Sequence, residues 1–141
     1  MYFLDTNTCI FYLNGCSPSV RDKILSTPPH QIRICSVVKA ELLLGAYKSR
    51  RKQDNLEKVE AFLEPFEIVP FDDQAAYVYA DIRSKAETSG RNVGPNDLLI
   101  AAIVLFHGGT LITNNVDEFS RIDGLISDDW SLVSDQPRLR L

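Results

Sequence analysis

Short β-prone runs that stop at a helix-capping residue recur along this chain, and that alternation limits the folds open to it more than any other feature. Tyr2-Phe3-Leu4 ends at Asp5-Thr6-Asn7, where Asp or Thr caps a helix carrying Ile10, Phe11 and Leu13. Ile32-Arg33-Ile34-Cys35 runs into Ser36, read as the cap of a helix that holds Val37, Ala40, Glu41 and Leu44 and stops near Gly45 or a turn later. A third run, residues 66–69, precedes Asp72 and Asp73, either of which caps a long helix through Ala76, Tyr77, Ala80, Ile82 and Ala86. Between these units lie a helix opened by Ser17-Pro18 and closed by Thr27-Pro28-Pro29, and a charged helix over about residues 50–63. Pro95 suits the first turn of one more helix. Its residues 98–106 are apolar all round, so it is expected to be covered on every side before His107-Gly108-Gly109 leads into the strand Leu111-Ile112-Thr113. Strands alternating with helices predict an α/β fold, a parallel sheet with helices on both faces joined by right-handed crossovers.

The chain has 141 residues, enough for one domain with a sizeable core, and is expected to form a single domain over residues 1–134 with a short tail at 135–141. Its longest apolar run falls far short of the ~20 residues of a membrane span, and no basic leader precedes a greasy segment, so a cytoplasmic protein with no membrane partner is expected. Fifteen Lys and Arg stand against 19 Asp and Glu, a net charge of −4. A contact with nucleic acid therefore needs a local basic patch, and Lys48, Arg50, Arg51 and Lys52 form the densest one. The same four residues also read as a solvated helix end. Cys9, Cys16 and Cys35 have no C-x-x-C spacing and read as reduced residues, small enough to be buried.

In a parallel sheet, ligands bind beyond the carboxyl ends of the strands. Asp5 ends the first strand, Glu41 lies one and a half turns past the end of the second, and Thr113-Asn114-Asn115 ends the last. Asp97 sits in the first turn of the apolar helix. These residues, with the 115–118 segment, can face one crevice although they are far apart in sequence. Asp5 also reads as a helix cap, and Asp97 as a complement to a helix dipole. Glu41 shares a helical stripe with Val37, Ala40 and Leu44, where a lone carboxylate is costly unless paired, protonated or metal-bound. Clustered carboxylates repel one another, and a hard divalent cation offsets this; oxygen ligands suit Mg²⁺ or Mn²⁺. The chemistry such a site supports is metal-assisted phosphodiester hydrolysis.

Four segments carry a resemblance: Tyr2 to Asn7, Ser36-Val37 with Glu41-Leu42, Gly94-Pro95-Asn96-Asp97 with Ile100-Ala101-Ala102, and Thr113-Asn114-Asn115 with Phe119. In order and spacing they resemble the four motifs of PIN-domain ribonucleases, and in particular the VapC toxins of bacterial toxin–antitoxin pairs. The likeness spans nearly the whole chain, including Asp128-Asp129-Trp130. It implies a PIN-like three-layer fold with a five-stranded parallel sheet, a homodimer, and Mg²⁺ or Mn²⁺ held by Asp5, Glu41 and Asp97. It further implies endonucleolytic cleavage of structured RNA such as tRNA, and a cognate antitoxin whose C-terminal segment enters or covers the crevice. Thr6, Thr113 and Asn115 are expected to position the metal, its water or the phosphate, with Arg50 and Arg51 along the RNA backbone. Thr6 reads equally as a cap.

The fourth motif departs from the pattern. Where many relatives place Asp, this chain has Asn115, with Asp117 and Glu118 just beyond. An amide brings no charge, so one firmly held ion is expected. Asp5-Thr6-Asn7-Thr8 also resembles the nucleophile motif of haloacid-dehalogenase phosphatases, although Asn7 replaces the second acid expected there. A metal-poor relative that binds RNA or a partner without turnover is a further alternative. Asp72-Asp73 follows the third strand rather than the first, against a receiver domain, and no G-x-x-x-x-G-K motif supports a nucleotide-triphosphate site.

Overall fold

The computed structural model describes residues 1–132, so the expected tail at 135–141 and the last two residues of the expected domain lie outside the described residues. The first strand, β1 (Tyr2–Leu4), leads into α1 (Thr6–Asn14) and α2 (Pro18–Ser26). A 3-10 turn at Pro29–Gln31 then delivers β2 (Ile32–Cys35), followed by α3 (Ser36–Lys48) and α4 (Lys52–Leu63). The remaining elements are β3 (Glu67–Val69), α5 (Asp73–Thr88), α6 (Pro95–His107), β4 (Thr110–Ile112), α7 (Val116–Phe119) and β5 (Ile126–Asp128).

All five strands are parallel, in the order β3-β2-β1-β4-β5, as the five-stranded expectation required. The chain builds outward from β1 through β2 to β3, then returns to the other side of β1 for β4 and β5. The order therefore reverses between β1 and β4, and loops leaving those two strands diverge to open a crevice at their carboxyl ends. Register places Leu4 beside Ile112 and Ile112 beside Asp128, so the residues that follow, Asp5 and Thr113, leave the sheet at the same level.

Local signals explain most element boundaries. Asp5 caps α1, Ser17 caps α2 with Pro18 behind it, and Asp72 caps α5. Gly15 and Gly108 end α1 and α6 in the left-handed region, at φ 69° and 68°. Gly109 has a different role: a Cβ there would stand 2.5 Å from Phe3 Cε1, so only a bare backbone passes beside that fully buried ring. The core lies on the sheet, with Phe3, Leu4, Ile34, Leu111 and Ile112 wholly enclosed. Trp130 closes one side, its ring 5.2 Å from that of Tyr2, while Ser19 donates to the Trp130 carbonyl at 2.7 Å.

Several expectations need correction. Ser36 does not cap α3: Cys35 holds the cap position, and the Ser36 hydroxyl accepts from the Phe71 N–H at 3.2 Å, tying α3 to the loop after β3. The buried stripe of α3 is Val38, Leu42 and Ala46 rather than Val37, Ala40, Glu41 and Leu44; Leu44 is 57% exposed and Glu41 flanks the stripe half-buried. On α5 the buried residues are Ala75, Ile82 and Ala86, and Tyr77 is exposed. On α6 the enclosure ends early, since Leu98 and residues 100–104 are buried while Phe106 reaches solvent.

Candidate active site

Asp5 caps α1, and its carboxylate has acceptor capacity beyond that role. Oδ1 accepts from the Thr8 N–H at 2.9 Å, and the Thr113 hydroxyl donates to the same carboxylate from the end of β4. The Asp5 N–H in turn donates to the Ile112 carbonyl at 2.9 Å, which locks the ends of β1 and β4 together. Burial raises the Asp5 carboxyl above its ordinary value; the Thr113 and Thr8 hydrogen bonds pull it partly back, and the Asp129 charge adds to the rise. Thr113 is wholly buried, and its oxygen also accepts from the Asn115 N–H at 2.9 Å.

Glu41 is gripped from two sides. Thr6, on the first turn of α1, donates to Oε1 at 2.5 Å, and Asn96, on the first turn of α6, donates through Nδ2 to Oε2 at 3.2 Å. Thr6 thus serves as a carboxylate holder rather than a helix cap. Asn96 was not among the residues singled out from the sequence, and its place immediately before Asp97 was the signal that pointed to it. The two donors fix the orientation of Glu41 without neutralising it.

Asp97 lies where Pro95 begins α6, close to the amides of that helix end. Its carboxyl is pushed up to about 7, first by burial, then by a hydrogen bond with Glu118 and by the negative charges of Glu118, Asp5 and Glu41. The fourth acidic side chain in the crevice is therefore Glu118. Asn115 donates through Nδ2 to Glu118 Oε2 at 3.2 Å, so this amide orients the glutamate one turn on. Asp117 is exposed on the outer side of α7.

Four elements thus bring four carboxylates together: Asp5 after β1, Glu41 on α3, Asp97 on α6 and Glu118 on α7. None of the four forms an ion pair with Lys or Arg among the described residues. Nor do three of them stand close enough together there to form a ready-made cation cage. The donor set nevertheless fits a hard divalent cation: it is all oxygen, it lacks a cationic partner, and burial together with neighbouring negative charge favours the neutral form of Asp97 until a cation offsets it. Arg50 and Arg51 are not drawn into this group. Glu41 and Lys48 are seven residues apart, about 10 Å along the axis of α3, and the two arginines lie exposed beyond it, Arg51 at the cap position of α4.

The chain is similar to known proteins over most of its length. Residues 2–125 match the PIN domain family. A Rickettsia felis protein described as ribonuclease VapC2 is 38% identical over 131 residues, covering 92% of this chain and 98% of that protein. A Shigella flexneri protein described as tRNA(fMet)-specific endonuclease VapC is 37% identical over 130 residues, with 92% and 98% covered. Among solved structures, VapBC from Salmonella typhimurium bound to DNA superimposes with a TM-score of 0.87 at 36% identity, covering 92% of this chain and 97% of that one. VapBC2 of Rickettsia felis, bound to a fragment of its promoter, gives 0.86 at 38% identity, with 92% and 98% covered. The aspartyl-phosphate reading of Asp5 gives way to this match. With its acidic crevice at the point where strand order reverses, and with kinship spanning nine-tenths of its length, the chain belongs to the PIN-domain family and to the VapC ribonucleases within it.

Proposed function

We propose that this chain is the toxin of a toxin–antitoxin pair, a Mg²⁺- or Mn²⁺-dependent endoribonuclease that cuts structured RNA, with tRNA as the favoured class. The observation that carries the reading is the convergence of Asp5, Glu41, Asp97 and Glu118 in one crevice with no basic partner. Asp5, Glu41 and Asp97 would hold the cation, and of Asn115, Asp117 and Glu118 it is Glu118 that takes the fourth acidic position. When bound, the ion supplies Lewis-acid stabilisation of charge on the phosphoryl group and makes water a better nucleophile. The protein contributes positioning. Thr113 and the Thr8 N–H hold Asp5, Thr6 and Asn96 hold both oxygens of Glu41, and Asn115 orients Glu118. Such outer donors keep ligands in place between turnovers.

Arg50, Arg51 and Lys52 extend the RNA surface along the α3–α4 turn. The antitoxin partner is supported by the VapBC complexes among the structural relatives. A groove of about 220 Å³ between α1, α3 and α4, lined by Ile10, Leu13, Leu42, Ala46 and Val59 with Glu41 at its edge, offers an apolar seat beside the crevice for a segment of that partner. The chain is read as a cytoplasmic homodimer that the antitoxin converts to a heterocomplex; among the described residues no helix is long and apolar enough to cross a membrane.

The test is cleavage of total small RNA by partner-free protein with Mg²⁺ or Mn²⁺, with chelator, and with Asp97→Asn. Discrete fragments that vanish with chelator and with the variant support the nuclease. Folded, metal-loaded protein that binds RNA but leaves tRNA and rRNA intact would replace it with the binding-only reading.

A further inference from the structure

Asp97 and Glu118 meet through a side-chain hydrogen bond across two separate segments of the chain. Asp97 follows the 89–94 loop that joins α5 to α6, and Glu118 sits on the four-residue helix α7. Both segments must be held at a fixed separation if the two acids are to meet one cation, where both are needed in the charged form. The structure contains a device with that effect. Arg91 reaches from the first loop and donates through Nη1 to the carbonyl of Arg121 at 2.7 Å, with Asp123 Oδ1 at 3.3 Å. Arg121 reaches back and donates through Nη1 to the carbonyl of Asn92 at 2.8 Å. Each arginine thus grips the backbone of the segment that carries the other.

Both grips are anchored close to the acids. The Arg121 N–H donates to the carbonyl of Glu118 itself at 3.1 Å, and the next residue, Ile122, is buried in the core. The Arg91 N–H donates to the Ala86 carbonyl at 2.8 Å, fixing the loop to the end of α5. From Asn92 the chain needs five residues to reach Asp97, of which the last three belong to α6. A guanidinium suits this task because its donors are fixed in a plane and it keeps its charge at any working pH.

We propose that Arg91 and Arg121 form a reciprocal clasp whose role is to position Asp97 against Glu118 for divalent-cation binding. This rests on the nuclease reading of the crevice, and both arginines are positioning residues. Loss of either donor leaves the 89–94 loop and the α7 segment free to part under the repulsion of the acids, so that a cation must draw them together before it can bind.

Charge alone predicts the opposite outcome, which makes the test sharp. Replacing Arg by Met removes a positive charge near an acidic site, and Coulomb attraction by itself then strengthens cation binding. The clasp predicts weakening. The experiment is Mn²⁺ binding by calorimetry to the partner-free chain and to Arg91→Met, Arg121→Met, the control Arg83→Met on α5, and Asp97→Asn. The expected result is a loss of about tenfold in Mn²⁺ affinity for each clasp variant, in the range usual for groups that orient metal ligands. Arg83→Met should bind as tightly as the native chain or slightly tighter, and thermal unfolding of all three arginine variants should stay close to native. Loss of binding in Asp97→Asn together with clasp variants that bind within twofold of native, or tighter, overturns the clasp alone. Undiminished Mn²⁺ binding in Asp97→Asn overturns the site reading and the clasp with it.

Discussion

Thr113 provides the most quantitative test of how the crevice is built. Its hydroxyl oxygen is wholly enclosed, accepts from the Asn115 N–H at 2.9 Å and donates to the Asp5 carboxylate. Thr113→Val keeps the side-chain shape and removes both hydrogen bonds, while the Thr113 backbone bond to the Asp128 carbonyl at 2.9 Å survives. A bond to a charged group is worth about 1.5–3 kcal/mol and a neutral one about 1 kcal/mol. Partial rescue by water at Asn115, which is less enclosed, lowers the sum to about 2–4 kcal/mol, or roughly 6–14 °C in Tm for a domain of this size. The assay is urea unfolding in chelator, with Thr113→Ser as the variant that keeps the hydroxyl and is expected to lose about 1 kcal/mol, the value of a buried methyl.

The pH dependence has a definite sign. Burial first of all raises the Asp5 carboxyl above its unfolded value of 3.8, so the stability it contributes in acid is intact below 3.8, falls as the pH rises from there, and is fully lost above the folded value. Thr113 reduces that loss by bonding to the charge. The gap between native and Thr113→Val protein is therefore largest near neutrality and narrows in acid, as Asp5 becomes protonated in both. A loss below about 0.5 kcal/mol, or a gap that does not change between neutral and acid pH, would refute the view that Thr113 holds Asp5 in its ionised form.

Other outcomes follow from the same geometry. Asn115→Asp replaces a donor 3.2 Å from Glu118 with a like charge, so the metal-free protein loses about 1 kcal/mol and regains it with saturating Mg²⁺; thermal scans with and without the ion decide this. The native chain should titrate with one tight Mn²⁺ site, and two equally tight sites would contradict the uncharged role of Asn115. Reversing Arg50 and Arg51 to Glu should weaken RNA binding and flatten its salt dependence, since both arginines are exposed and distant from the acids; unchanged affinity rejects the patch. Of the three cysteines, Cys16 is exposed and should react with a thiol reagent in the native state, whereas buried Cys9 and Cys35 should react only on unfolding. Burial pushes the Cys35 thiol up to about 12 from 9.0. Its contribution to stability is thus intact below pH 9 and is lost as the pH rises toward 12.

Much of this fold is written in interactions a few residues long. Asp5, Ser17 and Asp72 each bond an N–H three residues ahead, and Gly15 and Gly108 terminate their helices by backbone conformation alone, so sequence reading finds these boundaries. Ser36 shows where that reading fails. It has the chemistry of a cap, but an N–H 35 residues away competes for its hydroxyl, and only the packing of α3 against the loop after β3 brings that donor near. The fifth strand, Ile126–Asp128, is too short and too exposed to carry a pattern; it exists because β4 offers an open edge. Glu41 stands half-buried beside the covered stripe of α3 for a related reason. Helical periodicity ranks the faces of α3 by composition, whereas packing against α4, α1 and α6 decides which face is covered.

The candidate site divides along the same line. By itself the sequence determined which residues can serve: acids at strand ends and helix starts, in an order that a parallel sheet gathers at one edge, together with the threonines beside them. The tertiary structure alone decided how they are used. It seats Glu118 rather than Asn115 against Asp97, recruits Asn96 to Glu41, and leaves Arg50 and Arg51 outside the crevice. The physical reason is range. Caps and turns are settled by neighbours within about one helical turn, but the approach of two carboxylates depends on how separate segments pack, to within an ångström or two, and no local pattern encodes that distance.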